Sequence, residues 1–209
     1  MLTLIMREIE DNWVFFVITV IFAVAVSASI VWGQYYNEDY NWERDIKTAV
    51  WVAFFGTMAF CGTGVAQMYG DRTKKISALL ATLAVSRLQI FAARVAAGGL
   101  LVLAGLLPIV VTMMVVSSAL AQKTPFVVGL AIGMWAPVFM LCFSCYCIGL
   151  QSGWTLNKTL PTLGAIAFSF VLMGLIMIKG GGSDIYAIAV VFTAGCLLRA
   201  WHTFSTAAF

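Results

Sequence analysis

Six long apolar runs dominate this chain, at residues 13–33, 48–68, 95–121, 126–150, 160–178 and 185–201. An α-helix rises about 1.5 Å per residue, so about 20 apolar residues cross a hydrocarbon core of about 30 Å. Each run reaches that length or comes close, and the last extends through Trp201 into His202, side chains suited to the headgroup layer. Composition agrees: 62% of the residues are apolar and 10% are charged, against about a quarter charged in soluble domains. A soluble core in a chain of 209 residues could not bury that much apolar surface. The expectation is an all-α membrane protein with six transmembrane helices.

Two rival readings are set aside. Barrel strands need alternating polarity over about ten residues, and residues 100–116 are apolar without alternation. The first run follows only a dozen residues and lacks a small-residue cleavage site, so it reads as a retained span rather than a signal peptide. The third and fourth runs contain Pro108 and Pro137, where a kink or tilt is expected.

Loop charge sets orientation, because Lys and Arg are retained in the cytoplasm. With the N-terminus inside, the cytoplasmic side carries Arg7, Arg72, Lys74, Lys75, Arg87, Arg94, Lys158 and Arg199. The outer side carries Arg44, Lys47, Lys123 and Lys179, giving eight against four. The first outer loop is acidic on balance through Glu38, Asp39, Glu43 and Asp45. Both termini are therefore expected in the cytoplasm, with the chain in a cell (inner) membrane. The net charge of +3 follows from orientation, and no basic stripe with interleaved aromatics suggests nucleic acid as a partner.

Absent motifs narrow the chemistry. Ion-coupled transporters and proton pumps keep ionisable groups deep in their spans, and this chain has none near the middle of a run. Arg94 and Arg199 fall at the cytoplasmic ends of runs, where long stems are expected to snorkel to the interface. The single histidine, His202, excludes a haem held by two histidines of this chain and has no evident catalytic partners. No nucleophile-elbow, zinc-protease or phosphate-loop pattern occurs, so neither a catalytic site nor a resident cofactor or metal is expected. Cys142, Cys145 and Cys147 cluster in the fourth run. Thiolates there would suit a soft metal, but small apolar packing residues are the reading adopted for them, as for Cys61 and Cys196. Gly129 and Gly133 are spaced for close helix approach, and Gly180, Gly181 and Gly182 suit a tight turn.

The most informative stretch lies between the second and third runs, at residues 70–94: GDRTKKISALLATLAVSRLQIFAAR. It is too polar at its start to continue a span and too apolar for an ordinary loop. On a helix, Ile76, Leu79, Leu80 and Leu83 form one stripe, and Lys74, Ala78, Ala81 and Val85 form a small, lightly charged face. Asp71 or Thr73 can cap its start. Such a helix suits the cytoplasmic surface, its greasy side on the spans and its small side open to another protein.

Here a family resemblance enters. Tyr69-Gly70-Asp71-Arg72-Thr73, Leu79-Leu80-Ala81-Thr82-Leu83, Val85-Ser86-Arg87-Leu88-Gln89-Ile90 and Ala93-Arg94 resemble the matching segment of the permeases of type-2 ABC exporters. The N-terminal MLTLIMREIEDNW is similar to the interfacial elbow helix that precedes that family's first span. Ala84 stands where the family commonly has proline, and residues 179–184 are too few for the paired re-entrant helices many members carry.

The resemblance implies an elbow helix at residues 1–12, a cytoplasmic coupling helix within 70–94, and a translocation pathway shared with a second copy or a homologous permease. It also implies a separate ABC-type ATPase that binds ATP and magnesium. Asp71, Arg72, Thr73, Lys74, Lys75, Leu79, Leu80, Leu83, Ser86 and Arg87 would couple the ATPase to the spans, with Arg7, Glu8 and Glu10 as a second contact. Phe54, Phe55 and Met58 in the second run, with Phe168, Phe170 and Met173 in the fifth, would suit an apolar cargo or contact with lipid. Readings from other classes are a non-transporting membrane anchor for a larger complex and, behind it, a membrane-embedded enzyme. In the expected orientation, single cysteines at positions 40 and 123 react with an impermeant thiol reagent added outside. Labelling of position 75 or 205 from outside would overturn the orientation.

Overall fold

A computed structural model of the chain describes residues 2–36, 42–73, 86–120, 125–154, 159–179 and 182–206. Those residues form seven helices: α1 (Leu2–Asp11), α2 (Trp13–Tyr36), α3 (Trp42–Thr73), α4 (Arg87–Leu120), α5 (Pro125–Trp154), α6 (Thr159–Lys179) and α7 (Ser183–Thr206). Among the described residues, four helices contain stretches long and apolar enough to cross a membrane: Trp13–Trp32, Arg87–Val116, Trp135–Gly153 and Ser183–Thr206. A shorter apolar stretch, Leu163–Ile176, lies in α6, and α3 carries the second apolar run of the sequence. The regular structure among the described residues is all helical, and its apolar helices suit a membrane.

α5 is the centre of the bundle. Some 67% of its apolar stretch is buried, against 17% in each of α2 and α4. It packs against α3, α4, α6 and α7, while α2 lies on α4 and α1 chiefly on α4. A helix apolar all round must either be buried or face lipid; α5 takes the first course. The outer helices take the second, presenting Ile18, Ile21, Leu107, Val115, Ile178 and Val191 outward.

Glycines set the closest crossing. A Cβ on Gly149 of α5 would collide with the Cys61 carbonyl of α3, and one on Gly64 would lie 2.9 Å from the Leu150 amide nitrogen. Gly153 meets the Met68 side chain in the same way. The two backbones therefore approach as closely as small residues allow, which gains dispersion contact where no hydrophobic drive separates helix from lipid. Gly105 permits a similar approach between α4 and α2, where an added Cβ would lie 2.7 Å from Thr19 Cγ2.

The other face of α5 meets α7 through hydrogen bonds. Tyr186 donates to the Gly133 carbonyl at 2.7 Å, the Ser144 and Thr193 hydroxyls are 2.9 Å apart, and Gln151 donates to the Cys196 carbonyl at 2.9 Å. Other hydroxyls turn back on their own helix: Thr57 donates to the Phe54 carbonyl and Ser152 to that of Gly149.

The limits of the 70–94 segment differ from expectation. The α3 helix continues through Thr73, and α4 begins at Arg87, so both ends of the segment belong to long helices. Residues 74–85, which include most of the expected amphipathic helix, lie outside the described residues, as do 180–181 of the glycine turn. The start of α4 has a local cause. The Ser86 amide donates to Gln89 Oε1 at 3.2 Å, and the Gln89 amide donates to Ser86 Oγ at 3.3 Å. This reciprocal capping box satisfies amides that the first helical turn leaves unpaired. Pro108 and Pro137 both lie inside helices, in α4 and α5.

Gly149→Ala should destabilise the protein by about 1–3 kcal/mol, because backbone rather than a flexible side chain must move. The thermal midpoint in detergent should fall accordingly. Gly62→Ala in α3, where an added Cβ meets nothing within 4 Å, should not lower it.

Candidate functional site: a buried polar node

Arg94 lies two turns into α4 and is 1% exposed. The expectation that it snorkels to the interface is corrected, because a partner reaches it inside the bundle. Arg94 Nε lies 3.2 Å from Glu8 Oε1, with the Glu8 side chain 16% exposed. The other carboxylate oxygen of Glu8 accepts from Gln67 Nε2 of α3 at 2.9 Å. Gln67 Oε1 accepts in turn from the Tyr146 hydroxyl of α5, which also lies 3.2 Å from the Arg94 carbonyl oxygen. One closed circuit thus joins α1, α3, α5 and α4.

The surroundings enclose the guanidinium of Arg94. Arg94 Nη1 lies 3.4 Å from Met68 Sδ, and its guanidinium carbon stands 5.9 Å from the centroid of the Phe204 ring. Phe204 belongs to an aromatic group with Phe91 and Trp201, their ring centroids 5.3–6.3 Å apart. This group closes the side of Arg94 that faces α7. The Tyr146 ring lies over Gly98, where any side chain would collide with it. Beside the node is a cavity of about 10 Å³, on the scale of one water molecule, lined in part by Glu8, Asn12, Thr63, Gln67 and Tyr146.

Local sequence delivers Glu8. α1 is amphipathic: Leu4, Ile5, Glu8 and Ile9 turn inward, and Thr3, Met6, Arg7, Glu10 and Asp11 turn outward. Asn12 Nδ2 donates to the Glu8 carbonyl at 2.8 Å, closing the end of α1 at the turn into α2. Of the three residues expected on the elbow's contact surface, Glu8 is therefore engaged within the bundle. Arg7 and Glu10 are on the outward face, Arg7 in a loose exposed pair with Asp11 at 3.8 Å.

The remaining expected residues fare unevenly. Asp71, Arg72 and Thr73 form the last residues of α3, while Lys74, Lys75, Leu79, Leu80 and Leu83 lie outside the described residues. Ser86 caps α4, and Arg87 Nη1 reaches the Ser205 carbonyl of α7 at 3.2 Å. The residues expected to suit an apolar cargo are spread over several contacts within this chain. Phe54 and Phe170 stack at 4.8 Å and 23°, but Phe168 packs on Phe192 at 5.0 Å. Met173 is buried with Leu172 and Ile176, whereas Phe55 and Met58 point outward.

All five cysteines are buried and free. Among the described residues, no group of three or more His, Cys, Asp or Glu side chains could hold a metal ion. Gln67 and Tyr146 carry half of the node and were missed in the sequence, where each stands alone in an apolar run. A signal did exist for the pairing: Glu8 is a carboxylate on the inward stripe of an amphipathic helix, which calls for a cationic partner. No family model matches the chain, nor does any curated protein or solved structure.

Removing one member of a buried, hydrogen-bonded ion pair leaves the other charge uncompensated, at about 3–5 kcal/mol. Glu8 retains some water contact, so the lower end applies. Glu8→Gln and Arg94→Met should each destabilise the protein strongly, and the double variant should lose clearly less than the two losses added. Unfolding in detergent measured across all four proteins checks this, and simple additivity would show that the pair contributes no coupling.

Proposed function

We propose that the chain is the membrane-spanning half of an ATP-driven exporter of the ABC type, with ATP hydrolysis in a separate subunit. The observation that carries this reading is a convergence at one end of the bundle. The amphipathic α1, the last turns of α3 and the first turns of α4 meet there through Glu8, Gln67 and Arg94. These are the neighbours of the segment that resembles a coupling helix, so a partner pressing on residues 71–87 would act on helices already tied together.

In this reading the six apolar runs cross a cell membrane with both termini cytoplasmic, and two such chains, identical or homologous, enclose a pathway. α1 serves as the elbow helix, offering Arg7 and Glu10 to the partner. Lys74, Lys75 and Arg87 make the polar contacts with the ATPase, while Leu79, Leu80 and Leu83 hold the lever to the spans. ATP and magnesium are held by the partner. The lack of a phosphate loop and of ionisable groups at mid-span supports an energy source outside this chain, given that it transports.

Replacing Lys74, Lys75 and Arg87 with Glu should leave insertion and abundance near normal, because surface ion pairs contribute little to stability. The ATPase should nonetheless dissociate or lose its stimulation, since like charges across an interface cost several kcal/mol. Lys47→Glu should do neither. Co-purification and ATPase assays on the membrane complex decide it, and full association with full transport in the triple variant would remove the coupling role.

A further inference from the structure

The polar node and the glycine crossing share a residue. Tyr146 closes the hydrogen-bond circuit through Gln67 and the Arg94 carbonyl, and its own backbone carbonyl lies against Gly64 at the α3–α5 crossing. Its ring fills the space over Gly98 of α4. Glu8 is the single member contributed by α1, and both of its carboxylate oxygens are engaged, one to α4 and one to α3.

From this we infer that α1 is a latch. Seating Glu8 sets the packing of α3, α4 and α5, and a movement of α1 is transmitted to the α3–α5 crossing through Gln67 and Tyr146. The physical ground is the dry surroundings of Arg94. At low dielectric a circuit of this kind is strongly favoured when complete and strongly penalised when one member leaves. Arg94 cannot shed its charge by releasing a proton, so withdrawal of Glu8 obliges the remaining members to rearrange around the cation. Packed helices respond to such a change by moving between discrete arrangements rather than by gradual deformation. A merely local anchor would hold α1 and leave the crossing unaffected.

The crossing carries its own reporters. Cys61 on α3 and Cys147 on α5 are buried and free, and the Cys61 carbonyl is the atom that abuts Gly149. The test uses the full chain in lipid nanodiscs, with two mass-spectrometric readouts. One is alkylation of Cys61 and Cys147 by N-ethylmaleimide, and the other is amide hydrogen exchange in α1. Glu8→Gln should speed alkylation of both thiols about fivefold or more, the lower end of ordinary coupling between sites. Glu8→Asp should fall between it and wild type.

Coupling is reciprocal, so Tyr146→Phe, which removes a hydroxyl of α5 that reaches α1 only through Gln67 and Arg94, should speed amide exchange in α1 by a similar factor. If Glu8→Gln frees α1 while thiol protection stays at the wild-type level, the latch is refuted and the pair is a local anchor. The latch is refuted equally if Tyr146→Phe leaves exchange in α1 unchanged, and that arm decides alone should Glu8→Gln fail to insert. Neither readout involves an ATPase, so the inference survives or fails separately from the exporter reading.

Discussion

A guanidinium retains its charge at any ordinary pH, and in this protein one is enclosed almost completely by apolar helices. Burying Arg94 demands a counter-charge and further hydrogen bonds, and those demands organise one end of the bundle. Glu8 supplies the charge, which requires α1 to fold back onto α4 rather than extend as a free tail. Gln67 satisfies the second carboxylate oxygen, and Tyr146 satisfies Gln67. The aromatic group of Phe91, Trp201 and Phe204 then excludes water on the α7 side.

The remainder of the bundle is held by a different means. Helices in apolar surroundings gain little from hydrophobic burial against one another, so association depends on dispersion and on scattered hydrogen bonds. α5 uses both devices on separate faces: glycines toward α3, where backbones touch, and hydroxyl and amide side chains with the Gly133 carbonyl toward α7. Its central position follows from having two such faces, whereas α2 meets α4 closely at Gly105 and keeps most of its surface outward. The buried cysteines belong to this core as small apolar groups.

An exporter half of the proposed kind would use both parts of the bundle. A partner acting at the surface needs a stiff path into the spans, and the ends of α3 and α4 are joined by hydrogen bonds through Glu8 rather than by apolar contact alone. Apolar contacts between smooth helices permit sliding, while a charged circuit has one favourable register. The polar node is therefore the part of the structure best suited to carry force, and it adjoins the segment whose residues resemble a coupling helix.

Apolar runs made the helical class legible in the sequence, because only a bilayer or a helix core accommodates twenty such residues in succession. The helix at residues 2–11 was expected from the family resemblance alone, and its inward face became clear only from the packing. The start of α4 was not read, because the polar residues up to Arg94 set the start of the apolar run at 95, although Ser86 and Gln89 carry a capping box within four residues. What tertiary structure alone decided was the direction of Arg94 and the identity of the close-packing glycines. Arg94 has a stem long enough either to snorkel or to turn inward, and the choice depends on Glu8, 86 positions away. Gly64 and Gly149 carry no mark of close packing in the sequence, because close approach depends on the face that a neighbouring helix presents, a relation between helices that neither helix encodes by itself.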